Sequence, residues 1–256
     1  MDDAVGKAFG NTASLLFGKR LAPIEKYMEW LGLRIPQGKK VKSAFGGGET
    51  YVPDYSLFKH IPKARVVSME DLQKAKEMKI KLDGNPSLDE LVAKASKVAY
   101  FVPNFVEGNN INVRDTAVYL DCINVRDSFD IFSTKNGVSS FSTIDSENLF
   151  GCYRIGYSKF CMHCYNSLNL SVCFEIDHGK GCSRSMFCHN VENVHDSLFC
   201  FNTKNKTYAV GNVEVGKEAF TKFRDMVNAW ILSGLEEKGK LNWDIYNILC
   251  HERGES

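Results

Sequence analysis

The sequence predicts a mainly β fold whose middle, residues 109–216, is a parallel β-solenoid, a right-handed β-helix of about nine twelve-residue rungs. Three observations predict it. The segment Ile111-Asn-Val-Arg-Asp returns twelve residues later as Ile123-Asn-Val-Arg-Asp. The same step links Asn112, Asn124, Asn136 and Asn148, and after a shorter rung beginning at Phe160 it links Asn169, Gly181, Asn193 and Asn205. Four places after these positions the side chain is always small (Thr116, Ser128, Ser140, Cys152, Cys164, Cys173, Ser185, Ser197, Ala209), and its successor is mostly large and apolar, as at Phe129, Phe141, Tyr153, Tyr165 and Phe174.

A unit this short cannot enclose a core alone, so it must stack on its neighbours at a spacing of about 4.8 Å. Like side chains then form ladders. Asn suits the bends because it tolerates left-handed backbone and its amide can bond the amide of the next coil. Alternate rungs differ, with Ile131, Ile155 and Ile176 set between Tyr119, Thr143 and Ser167. That alternation points to a full coil of about 24 residues and a helix of four to five turns.

Residues 1–108 read as helices and an extended arm. Ile24, Tyr27, Met28 and Leu31 share one helical face behind Pro23. Ser68-Met-Glu-Asp and Ser87-Leu-Asp-Glu are capping-box starts, and the second opens a helix through Leu91, Val92 and Ala95 that should close the first coil. Between Arg34 and Val67 lie Pro36, Pro53, Pro62, the Gly46-Gly47-Gly48 triplet and scattered aromatics, with no sustained period. Such an arm is too apolar to float free, so it should lie on this solenoid or on a neighbouring subunit. The triplet reads as a flexible hinge, because the strand, Lys-Ser or Lys-Thr and helix of a phosphate loop are missing. Phe9, Leu15, Leu16 and Phe17 beside Lys7, Lys19 and Arg20 could mark a membrane-surface helix, but Gly6, Gly10 and Gly18 weaken that reading and favour packing on protein.

Residues 217–256 read as a capping helix and a tail. Phe220, Phe223, Met226, Val227, Trp230 and Ile231 lie at helical spacing and should cover the last coil, whose open sheet edge would otherwise recruit strands. The tail from Leu241 to Leu249 is apolar enough to dock as well.

Composition narrows the function classes. A chain of 256 residues with 44% apolar residues and a net charge of +1 has a core and no field that draws it to nucleic acid. No apolar run reaches the roughly 18 residues of a membrane span, and nine cysteines in a chain this large fit reduced thiols, so the expectation is a cytoplasmic protein or one packaged in a virus particle assembled there.

Candidate chemistry is sparse. Cys161-Met-His-Cys164, followed by Cys182 and Cys188 with His189, forms a candidate zinc set, and zinc is the one cofactor the residues suggest. Its second half is badly spaced, with five residues between Cys182 and Cys188 where a knuckle has two. The same cysteines fall where Ser, Thr, Ala and Val recur, so inward filler explains them more simply. Asp115, Asp127, Asp130, Asp145, Glu175, Asp177 and Asp196 are the carboxylates a β-helix glycosidase would draw upon, though they sit singly in turn or outward columns. Cys188 with His163 or His195 is the candidate nucleophilic pair.

The last rungs, Ser185-Met-Phe-Cys-His-Asn-Val-Glu-Asn-Val-His-Asp-Ser-Leu-Phe-Cys-Phe-Asn, with Lys204-Asn-Lys-Thr-Tyr-Ala-Val-Gly-Asn and Lys217-Glu-Ala-Phe, carry a resemblance. They resemble uncharacterised Cys- and Asn-rich repeat proteins of archaea, of candidate-phylum bacteria and of their mobile elements, over roughly residues 109–220. The resemblance implies the solenoid and no activity. Relatives of that kind often carry an N-terminal zinc-ribbon cysteine set, which this chain lacks. The resulting expectation is a non-catalytic assembly protein, whose arm and tail bind copies of itself or a larger complex such as a virion. A zinc or thiol-redox protein and a carbohydrate-active enzyme are the alternatives.

Overall fold

The computed structural model describes residues 2–36, 38–54, 56 and 58–248. It is a parallel solenoid of about eight turns with helices and a hairpin laid on its sides. Register fixes the coil. Ile111 pairs with Ile123, Ile123 with Lys135, Lys135 with Glu147, Glu147 with Lys159, and Lys159 with Ser171, a step of twelve residues throughout. The full coil is therefore twelve residues, and the 24-residue expectation is corrected.

The reason for that misreading lies in the backbone. Every third residue from Asn112 to Gly211 has positive φ, including Asp115, Val118, Asp121, Asn124, Asp127 and onward without a break. Each coil is thus four short sides, and each side reads corner, inward residue, outward residue. Asn and Asp tolerate the left-handed corner, whereas Val118, Tyr157 and Phe160 occupy it at a local cost. Stacking between fixed neighbours overrides that cost.

One grammar on four equivalent sides makes a nine-residue step look like a twelve-residue one. Phe160 stacks on Asn148 in a coil of normal length, since Lys159 pairs with Glu147 and Cys161 with Leu149. Asn169 and Asn193 consequently do not continue the column of Asn124 and Asn148. They stand one corner earlier, next to Leu168 and Val194, whose neighbours in the stack are Gly156 and Lys206. The amide ladder is real on both corners: Asn112 to Asn124, Asn124 to Asn136, and Asn136 to Asn148 at 3.1, 3.0 and 2.9 Å, then Asn193 to Asn205 at 2.8 Å.

Inward residues have little room, which explains their size. Ser128, Ser140, Ser146, Ser158, Ser167, Ser185 and Ser197 each donate to the carbonyl two residues back and accept an N–H from the residue twelve ahead. A buried hydroxyl so placed is fully paired, which removes the penalty of burying it.

Outward residues of one side, Val138, Phe150, Met162, Phe174, Met186 and Leu198, make the main core with helix α1 (Asp2–Phe17), Tyr27 to Leu31, and helix α5 (Lys217–Lys238). Phe9 meets Phe150 and Phe17 meets Phe174 edge-on at 5.3 and 5.1 Å. Each fully buried side chain of this kind contributes about 1.5–3 kcal/mol. Gly10 serves α1 by admitting the returning chain, since a Cβ there would lie 3.1 Å from Arg20 and 3.3 Å from the Leu21 carbonyl. Tyr27 precedes a short helix α2 (Met28–Gly32), and Ile24, Tyr27 and Leu31 are buried as their spacing predicts.

The arm lies on its own solenoid. Strands β1 (Gly38–Lys42) and β2 (Glu49–Pro53) pair antiparallel. Gly38 sits against the Phe129 ring, Tyr51 donates to Asp115 at 2.6 Å, and Ile35 is buried with Ala117, Phe129 and Phe141. The glycine triplet is a pinned turn and not a hinge: the Gly47 N–H donates to Asp71 Oδ2 at 2.8 Å, and Ser43 holds the same carboxylate. A Cβ at Gly47 would lie 2.4 Å from Asp71 Oδ1.

Ser68 accepts from the Asp71 N–H but opens only a turn, because helix α3 (Leu72–Glu77) starts later. Ser87 does form the expected capping box, on helix α4 (Leu88–Ala95). That helix covers nothing: it has no buried residue, and Leu88 and Val92 are 74% and 59% exposed. At the far end α5 runs alongside α1, while a hairpin of Ala209–Val210 and Val213–Glu214 finishes the last coil. Asn212 donates to and accepts from the Phe201 backbone there, imitating one more strand.

Candidate functional site

The structure separates the predicted zinc ligands. Cys161, Cys164, Cys182 and Cys188 are all inward and buried, but on three different sides of the coil, with Cys164 and Cys188 two coils apart. They do not form a cluster; among the described residues the group of three or more donors within 4.8 Å of one another is Asp177, His178 and His189. The inward thiols act as the serines do, each donating to the carbonyl two residues back, Cys164 to Met162 and Cys188 to Met186 for example. Burial pushes the Cys164, Cys182 and Cys188 thiols up, so they are held as thiols, the form that does not bind metal. Cys200 moves the other way, down to about 7, chiefly through its hydrogen-bonded contact with the Cys188 thiol.

The candidate nucleophilic pairs are also apart. Cys188 faces the lumen, His163 packs its ring on Trp30 at 4.3 Å, and His195 bonds Ser183 and Asn193 outside the coil. Of the predicted carboxylates, Asp115 holds Tyr51 and Lys40, Asp196 is chelated by Arg184 at 2.7 and 2.6 Å, and Asp130 and Asp145 are single corner residues. Asp127 is the corner one coil beyond Asp115, and burial, with the Asp115 charge nearby, raises its carboxyl.

Chemistry concentrates instead where the tail crosses coils five and six. His163 and Glu175 share a corner on successive coils, both almost fully buried, 3.8 Å apart. Burial holds the His163 imidazole down to about 3, with Arg34 adding to the effect, and raises the Glu175 carboxyl to about 8. Both are therefore neutral at pH 7. Glu175 accepts from the Ile245 N–H at 3.2 Å, His163 Nδ1 lies 2.9 Å from the Tyr165 hydroxyl, and Arg34 pairs with Asp244. His163 Nε2 finds no partner among the described residues. Next to this neutral cluster, on the outward column that continues from Tyr165, Asp177 pairs in register with His189. His178 turns the adjacent corner. Although burial opposes it, hydrogen bonds from Asn166 and His178 and the nearby imidazoles hold the Asp177 carboxyl below its usual range.

Asp177 was visible in the sequence as a candidate carboxylate, and His189 as a neighbour of the cysteines. Their meeting was not. With twelve residues per coil, positions 177 and 189 are stacked neighbours, and a 24-residue reading hides this.

No protein-family model matches this chain, and no curated protein matches it. Among solved structures, the acetyltransferase domain of PglB from Neisseria gonorrhoeae FA1090 is similar at 5% identity over 48% of this chain, with a TM-score of 0.12; the match spans 62% of that chain. A likeness so faint carries no argument.

Proposed function

We propose that the protein is a non-catalytic assembly module that binds a second copy of itself through the N-terminal end of its solenoid, as a building unit of a larger complex. The observation that carries this reading is the uncovered first coil. Strand β3 (Val106–Glu107) precedes it, and strand β4 (Ile111–Arg114) pairs only with Ile123–Arg126 among the described residues, so its outer edge is open. Ile111 is 54% exposed on that edge, Phe101 and Phe105 in the segment leading to it are also exposed, and so are Leu88 and Val92 on α4. Folded proteins normally blunt such an edge or cover it. The arm and the tail, which the sequence offered as the binding segments, are already docked on this chain and leave the role to the first coil and α4.

A second copy is the occupant the ends favour. The finished C-terminal coil gives head-to-tail stacking no matching edge, whereas two open ends related by a twofold axis present the same patch to each other and close the assembly. Sedimentation velocity with native mass spectrometry tests this. A dimer is expected, and Leu88→Glu with Ile111→Glu should return it to monomer with an unchanged circular dichroism spectrum. A wild-type protein that stays monomeric at every concentration would remove the reading.

A further inference from the structure

Asp177, His178 and His189 offer one carboxylate and two imidazoles from a single step of the stack. Nδ1 of His178 is 2.8 Å from Asp177 Oδ1, and Nδ1 of His189 is 3.0 Å from Oδ2. Donors around a tetrahedral zinc ion with bonds of about 2.0–2.1 Å stand roughly 3.3 Å apart. Small rotations of three side chains thus separate the hydrogen-bonded arrangement from a coordinating one. The positions are fixed beforehand, since Asp177 is paired in register with Tyr165 on one side and His189 on the other. Its carboxylate is 3% exposed and is held by Asn166 Nδ2 at 3.0 Å, the kind of outer contact that orients a metal ligand. His178 and His189 are open to solvent, which gives an ion an entry path and leaves a further position for water.

We propose that these three residues bind a divalent transition-metal ion of the zinc class on the outer face of the solenoid. Two nitrogens and one oxygen suit zinc, cobalt or nickel, whereas calcium and magnesium take oxygen donors. Each imidazole coordinates through Nδ1 and carries its proton on Nε2, and the ion replaces the two hydrogen bonds to Asp177. This site is independent of the lumen cysteines and of the dimer contact.

Titration of untagged, reduced protein with cobalt(II), read by absorption, tests it. One equivalent should bind with weak visible bands and no intense near-ultraviolet thiolate charge-transfer band. His189→Ala and Asp177→Asn should abolish binding, and Asn166→Ala should weaken it about tenfold. His178→Ala removes a solvent-exposed ligand at a positive-φ corner, and melting curves of all the variants without metal show that loss of binding is not loss of fold. Absence of saturable binding, binding that survives His178→Ala and His189→Ala, or a thiolate charge-transfer band would each overturn the proposal.

Discussion

The two ends of the solenoid are made by the same repeat yet finished differently. At the C-terminal end the chain turns back through Asn212, which supplies the donor and the acceptor a further strand would have offered, and α5 then buries Phe220, Val227, Ile231 and Leu235 against α1 and the coil side. At the N-terminal end Asn104 and Asn110 accept from Val118 and Cys122, so part of the edge is satisfied, but among the described residues Phe101, Phe105 and Ile111 stay exposed. The repeat itself therefore does not decide where the stack stops. Stopping is the work of the non-repeating segments, and only one of them completes it.

Substitutions can sharpen that contrast. Ile231→Ala at the covered end should cost about 2–5 kcal/mol, seen as a lower denaturation midpoint, because the side chain is completely buried in the shared core. A loss below about 0.5 kcal/mol would mean that α5 is dispensable to the fold.

Glu175 tests the tail docked over the later coils. Its folded pKa of about 8 stands above the ordinary 4.5, so its contribution is fully present below that ordinary value and is lost as pH rises toward 8. His163, at about 3 against 6.5, works in the opposite sense, its contribution present above 6.5 and lost as pH falls toward 3. Stability should peak between these limits. Glu175→Gln should melt higher than wild type at pH 8, by on the order of a few kcal/mol, with the difference shrinking toward pH 5. Parallel melting curves across that range would contradict the buried neutral carboxyl.

Smaller effects follow for the ladders and for the open end. Asn136→Ala removes two amide bonds, to Asn124 and Asn148, and places Ala at φ 56°, for a loss of about 1–2 kcal/mol in chemical denaturation. Leu88→Ser should change monomer stability by less than about 0.5 kcal/mol while weakening self-association, a split that no core position can show.

The sequence made the solenoid, its small inward columns and the Ser87 capping box legible, because each is written in local residue choice. Two things were not written there. Coil length escaped because Asn169 and Asn193 obey the same three-residue rule as Asn124 and Asn148 while occupying another corner. Of the covering segments, α5 was legible in Phe220, Val227 and Ile231, whereas α1 was not: Gly6 and Gly10 count against a helix there, and only the tertiary neighbour of Gly10, Arg20, shows why a glycine belongs in it. The Asp177, His178 and His189 cluster was hidden by the first error alone, since correct coil length places 189 over 177.

The rule of a left-handed residue at every third position has a consequence for how such a chain can change. Losing one corner, inward and outward triplet rotates everything downstream by a quarter turn and leaves every inward residue inward. The move of the Asn column after Phe160, from one corner to the preceding one, has the offset that the loss of one such triplet would give. Length in this molecule is thus adjustable in steps far finer than a whole turn, without disturbing the lumen.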